Sequence, residues 1–233
     1  MTKSTAGFAN NAALHSAIIG SFIEKGYAPN IDDLAALFEL SRPEIVDALL
    51  ALQNYHGVVL HPKSNEIWIA HPFSAAPAGY VVRKGEREWW GSCAWCSFGV
   101  VTLLGGTASI HAMLGNTTQA STIRIENDVL LDTDVVVHFP IDMSKAWDNV
   151  QYTCSMMMFF PSEKDVDDWC TNHNVRKGDV RPAQQIWDFS RDWYGSHASP
   201  DWRKWTAAEA SRIFEKHGLS GAVWALDGSE ERF

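Results

Sequence analysis

A chain of 233 residues, 46% of them hydrophobic, is long enough to bury one large core or a main domain with a small appendage. Nothing in it approaches the roughly 18 to 20 consecutive apolar residues a membrane span needs, and "MTKSTAGFANNAALHSAIIGSF" lacks an apolar signal region followed by a small-residue cleavage site, so the expected setting is cytoplasmic with no membrane partner. The net charge of -9 excludes a broad electrostatic hold on nucleic acid or anionic lipid and turns attention to small-molecule chemistry.

Three helices are predicted before residue 57. The first covers about 11–25, with Leu14, Ile18, Ile19 and Phe22 on one face and Gly26 as its stop. The second opens at "NIDD", where Asn30 can cap and Asp33 stands at the third helical position. The third opens at "SRPE", where Ser41 and Glu44 match a capping box and Pro43 sits in the first turn. "GVVLHPKSNEIWIAHPF" then reads as two short strands around "PKSN". Three helices and a hairpin are the order of a winged helix, so residues 1–75 are expected to form a winged-helix-like domain. These residues carry Lys3, Lys25, Arg42 and Lys63 against Glu24, Asp32, Asp33, Glu39, Glu44, Asp47 and Glu66. A recognition helix holding Arg42, Glu44 and Asp47 repels phosphates, and the domain is read as structural, with no nucleic-acid partner.

"SAAPAGYVVRKGERE" reads as a linker, after which residues 76–233 are expected to form a second domain. A buried segment runs from Trp89 to Leu104 and ends at Gly105 and Gly106. Strands are expected at about 121–126 and 133–139, and a deep one at about 152–160. Helices follow: one capped by Ser162 with Val166, Trp169 and Cys170 inward, one over about 182–194, and one opening at "TAAE" and stopping at Gly218. The fold class is thus α+β.

Four cysteines, Cys93, Cys96, Cys154 and Cys170, are too few for a disulfide scaffold, and in a reducing compartment they stay free as ligands or nucleophiles. Cys93 and Cys96 in "GSCAWCSFGV" are a weak signal alone. The pair lacks the βαβ setting of a thioredoxin-like site and the second pair of a structural zinc site. Cys154, in the apolar "VQYTCSMMMFFPS", reads by itself as core, as does Cys170. The tryptophans around the first pair, Trp89, Trp90 and Trp95, can wall a dry pocket or simply fill the core. Met156, Met157 and Met158 can add soft ligands but on a strand would alternate into the core, and His111 and His138 show no ligand spacing and read as water-facing or capping imidazoles.

Taken in order, "AHPFSAAPAGYVV", "CAW", "VVHFP", "TCS", "DWRKWTAAEA" and "GLSGAVWAL" resemble the organomercurial (alkylmercury) lyase family over about residues 40–226, and its longer, winged-helix-bearing members above all. The resemblance implies a winged-helix-like amino-terminal domain joined to a catalytic domain with a mixed β-sheet and flanking helices. It implies that Cys93 and Cys154 are the thiolates that bind mercury, and that the reaction is protonolysis of a carbon–mercury bond. Thiolates are the softest donors a protein owns, and density pushed onto mercury makes the attached carbon more basic. No resident cofactor is implied; Hg(II) is the product, and cytosolic small thiols remove it.

The family's acid is an aspartate three residues after the first cysteine, where this chain has Cys96. Cys96 can donate the proton, as a thiol of reference pKa about 8.5, or close on the metal as a third ligand, or form a resting disulfide with Cys93. Asp148 and Asp188 can replace the acid if the fold brings either near, surface solvation being the plainer reading. Three functions follow: an organomercurial lyase, a thiophilic-metal binder for mercury, copper or zinc without turnover, or a same-fold enzyme that cleaves another carbon–heteroatom bond of a small thiophilic substrate.

Overall fold

The computed structural model describes residues 10–115, 117 and 119–226. Its amino-terminal helices are α1 (Asn11–Lys25), α2 (Ile31–Phe38) and α3 (Arg42–Asn54), the second and third opened by the side chains expected to open them. Asn10 accepts from Ala13 N at the head of α1, Asn30 and Asp33 close a reciprocal box on α2, and Glu44 accepts from Ser41 N at 2.8 Å on α3. Leu14, Ile18, Ile19, Phe22, Leu34, Ile45, Leu49 and Leu52 are buried between them. Residues 1–9 and 227–233, at the outer ends of the two expected domains, lie outside the described residues.

The chain then enters an eight-stranded sheet. β1 (Val59–Leu60) and β2 (Ile67–Ala70) form the expected hairpin, and β3 (Phe73–Ser74) pairs with both β2 and β5. The stretch read as a linker contains instead β4 (Tyr80–Lys84), paired with β5 (Arg87–Gly91) about a turn in which Gly85 has φ +58°. Pro77 and Gly79 suggested a connector, yet Tyr80 and Val82 point into the core on the alternation of a strand. β6 (Ala108–Met113), β7 (Ala120–Glu126) and β8 (Val129–Leu130) complete the order β1-β2-β3-β5-β4-β6-β7-β8. One sheet and one contiguous core therefore run through residues on both sides of position 75.

Between β5 and β6 lies α4 (Ala94–Leu104), whose residues from Ala94 to Val101 are all buried, as a helix with no polar face must be. Its far side is covered by α7 (Ala183–Tyr194). The contact is close because residue 99 is glycine: a Cβ there would stand 2.4 Å from Tyr194 Cδ2 and 2.8 Å from Pro72 Cβ. A small sheet of order β10-β9-β11 is built from β9 (Val136–Phe139), β10 (Phe159–Phe160) and β11 (Asp179–Pro182), with α5 (Val150–Met156) and α6 (Glu163–His173) on the connections. The last helix, α8 (Ala207–Lys216), starts at a capping box of Thr206 and Glu209. All strand pairs among the described residues are antiparallel, whereas a mixed sheet is expected from the resemblance.

The deep strand expected over 152–160 is a correction of more consequence. Only Phe159–Phe160 is strand, and Cys154 sits on α5. A short apolar run does not distinguish helix from buried strand by periodicity. The deciding group is Asn149, whose side chain accepts from Tyr152 N at 3.0 Å and starts a helical turn. Val150, Thr153, Cys154 and Met157 then share one face at helical spacing.

Candidate active site

Cys93 caps α4: its Sγ accepts from Cys96 N at 3.2 Å, so the thiol sits over the first turn of the helix. Cys96, one turn on, turns its sulfur to within 3.5 Å of the Tyr194 hydroxyl on α7. Cys154 arrives from α5. The segment that carries it is tied down just beyond, where the Met157 carbonyl accepts from Ala94 N and from the Tyr80 hydroxyl, both at 3.1 Å. Met157 Sδ lies 3.9 Å from Cys93 Sγ. All three thiols are free and buried, at 0%, 1% and 5% exposure.

A fourth ligand-type group meets them. His71, from the turn between β2 and β3, places Nε2 3.5 Å from Cys154 Sγ, and the ligand atoms of His71, Cys96 and Cys154 lie within 4.8 Å of one another. Bonds of about 2.0–2.3 Å to one tetrahedral ion put ligand atoms roughly 3.3–3.8 Å apart, so these atoms need to close in by at most about 1.5 Å to share an ion. Two sulfurs with an imidazole nitrogen form a soft to borderline donor set, fit for mercury, copper(I) or zinc.

Cys96 and Cys154 open onto a cavity of about 50 Å³, room for about four water-sized groups. Its walls are Trp95, Trp147, Trp193, Tyr194 and Trp202, with His15, His56, His71, His197 and Lys204 among them, and among the described residues no carboxylate lines it. Trp202 stacks on His15 with ring centroids 3.5 Å apart, and Lys204 Nζ lies 4.2 Å from the centre of the Trp147 ring. On its other side Cys154 borders a wider groove of about 640 Å³ with Tyr80, Ser92, Gln151 and Met158.

Burial and mutual contact set the protonation states. Burial pushes the Cys93 thiol well up. Cys154 is held up by the hydrogen bonds it gives to Cys93 and Cys96, with burial adding to them. Burial opposes ionisation of Cys96 too, but hydrogen bonds from the Cys154 and Cys93 thiols, then His71 and the Tyr194 hydroxyl, outweigh it and hold Cys96 well below the ordinary thiol range. His71 is itself pulled down by burial, so the neighbouring thiols rather than an imidazolium are what favour that thiolate. Contact among the three thiols thus favours ionisation at Cys96 over Cys93 and Cys154.

Burial also lowers His56 and His197 and brings His15 down to about 3. The unfolded chain binds a proton on each near 6.5 and the folded chain does not, so stability is present above pH 6.5 and is lost as pH falls toward about 3. Lys204, brought by burial from 10.5 to about 7, acts with the same sign in a higher window, stability declining as pH falls from about 10.5 to about 7. The midpoint of urea unfolding is therefore expected to drop on the acid side, and His15→Leu to shrink the drop below pH 6.5; a midpoint constant down to about pH 4 would contradict the buried neutral imidazoles.

The other candidates lie elsewhere. Asp148 and Asp188 are exposed, the latter bonded to Gln184. His111 is mid-strand in β6, between Ser109 and Thr122, and His138 is fully buried beside Cys170 (3.8 Å) and the Lys177 carbonyl, not at the surface as expected. Cys170 packs in a separate small cluster with Phe160 and Val166. Met156 is half-buried away from the cavity, Trp90 is 36% exposed, and Trp89 donates from Nε1 to the Phe22 carbonyl. His71, Tyr194 and Lys204 are the site residues not singled out from sequence.

Fold and site together define an α+β protein with a buried thiol and imidazole constellation facing an aromatic cavity. The model of the alkylmercury lyase family, MerB, matches residues 73–195, more than half of the chain, and the protein belongs to that family. A solved structure described as the mercury-bound form of MerB2 is similar over 84% of this chain and 94% of that one, with a TM-score of 0.65 and 18% identity, a likeness of fold. No curated protein matches. Among the described residues no helix is long and apolar enough to cross a membrane.

Proposed function

We propose that the protein cleaves the carbon–mercury bond of small organomercurials by protonolysis, with Cys93 and Cys154 as thiolate ligands. One observation carries this reading: two free thiols, Cys96 and Cys154, open onto an aromatic-walled cavity, with the free thiol of Cys93 held against Cys96 N, in a chain of the alkylmercury lyase family. Cys96 acts as the third sulfur ligand, because the thiol most readily ionised is the one least able to supply a proton. The groove beside Cys154 is the entry, and the cavity suits a methyl or ethyl group without rearrangement. Hydrocarbon leaves, and Hg(II) passes to small thiols of a reducing compartment such as the cytoplasm. The winged-helix-like amino-terminal unit serves as a wall: His15, His56 and Gly57 line the cavity, while Arg42 is spent on Asp32 and Glu66.

Incubation with methylmercury or phenylmercury and excess small thiol tests the reading: one methane or benzene per mercury is expected, over repeated cycles. Stoichiometric capture with no hydrocarbon rejects turnover and leaves the second reading, a metal trap, which the mutual spacing of His71, Cys96 and Cys154 favours. In that case protein purified under reducing conditions should carry copper or zinc near one per chain.

A further inference from the structure

Protonolysis needs an acid, and the position that holds an aspartate in the family is a thiol here. Each group lining the cavity can be weighed for the task. Among the described residues, no Asp or Glu lines the walls. Tyr194 is pushed up by burial and the neighbouring thiols, and grips its proton. His15, His56, His71 and His197 are drawn down by burial and are neutral at pH 7. Cys96 and Cys154 both bond to mercury in this reading and so have no proton left to give the carbon. The remaining titratable group is Lys204.

We propose that Lys204 is the proton donor of this site, supplying the departing carbon from the wall of the cavity that Cys96 and Cys154 also line. This rests on the carbon–mercury reading above. The extended run Asp201–Thr206 alternates so that Trp202 and Lys204 face inward and Arg203 outward. Trp202 is stacked on His15, and Arg203 is bonded to Glu209 by two hydrogen bonds of 2.6 and 2.8 Å, so the segment that leads into Lys204 is anchored, and Nζ itself lies 4.2 Å from the centre of the Trp147 ring. It lines the same cavity as all four imidazoles, and its charge acts on each of them. Burial brings it to about 7, near the value at which a general acid is most effective at neutral pH.

The step balances. The Cys96 thiolate displaces the anionic ligand X from R–Hg–X, and Cys93 and Cys154 bond to mercury as their two thiol protons leave. Lys204 Nζ gives a proton to the carbon, the electron pair of the carbon–mercury bond becomes the new C–H bond, and R–H departs. The neutral amine recovers one of the two thiol protons, and the other leaves with X as HX. Mercury stays as Hg(II) on the sulfurs.

Single-turnover assays on methylmercury-loaded protein test the proposal, with capture and methane followed separately. Wild type should release methane at a rate that falls as pH rises through about 7, where the ammonium deprotonates. Lys204→Met should capture methylmercury one to one yet release methane roughly a hundredfold to ten-thousandfold more slowly. Lys204→Arg should be similarly slow, because a guanidinium keeps the charge but does not part with a proton near neutrality. Methane from either variant at the wild-type rate, or a wild-type profile flat through pH 7, overturns the role of Lys204 and leaves the carbon–mercury reading standing. Capture by wild type without methane overturns the reading itself, and the donor with it. If Lys204→Met does not fold, the wild-type profile and Lys204→Arg decide.

Discussion

Cys154→Ser is expected to abolish both the capture of organomercurials and any hydrocarbon release. Hydroxyl oxygen is a hard donor and mercury a soft acceptor, so the exchange removes a bond rather than weakening it. The loss should exceed the roughly 10- to 100-fold cost of deleting a group that merely supports a metal ligand. Ser is nearly isosteric with Cys and has a backbone bond to offer within α5, so the fold should survive. Cys170→Ser provides the contrast: that thiol lies in a separate cluster and its removal should leave capture intact. Mercury retention after gel filtration reads both variants, and capture by Cys154→Ser at wild-type stoichiometry would remove Cys154 from the ligand set.

Cys96→Asp should have the opposite sign. The exchange installs a carboxyl where the family has one and deletes the third sulfur that would slow the departure of Hg(II). Burial raises a carboxylic acid and keeps it protonated, and a positioned acid of this kind contributes about a hundredfold or more. Steady-state hydrocarbon release in excess thiol is expected to rise, and in a Lys204→Met background the same change should restore release that the lysine no longer supports. An unchanged rate in both backgrounds would mean that position 96 does not face the carbon.

Much of this architecture was legible before any coordinates. The helix starts at Asn30, Ser41, Ser162 and Thr206 follow from side chains that can satisfy free backbone N–H groups, and each of those helices begins there. The pairing of Cys93 with Cys154 came from motif order, not periodicity, and the chain brings the two sulfurs into contact. What failed was local: "YTCSMMMFF" lacks a polar beat, so nothing in it separates strand from helix, and a capping asparagine five residues before Cys154 settled the matter. His71 and Lys204 were missed for a different reason. Both come from irregular segments, where a single polar residue has no partner at fixed spacing to give it away. The signal for Lys204 was the alternation in "DWRKW", which turns the lysine the same way as a tryptophan.

The indoles around the cavity make the site self-reporting. Trp95, Trp147, Trp193 and Trp202 all line the space beside Cys96 and Cys154. A heavy nucleus seated there promotes spin crossing in excited indoles, so intrinsic emission should dim when mercury arrives and brighten when a small thiol carries it off, giving a label-free clock for each half of the cycle.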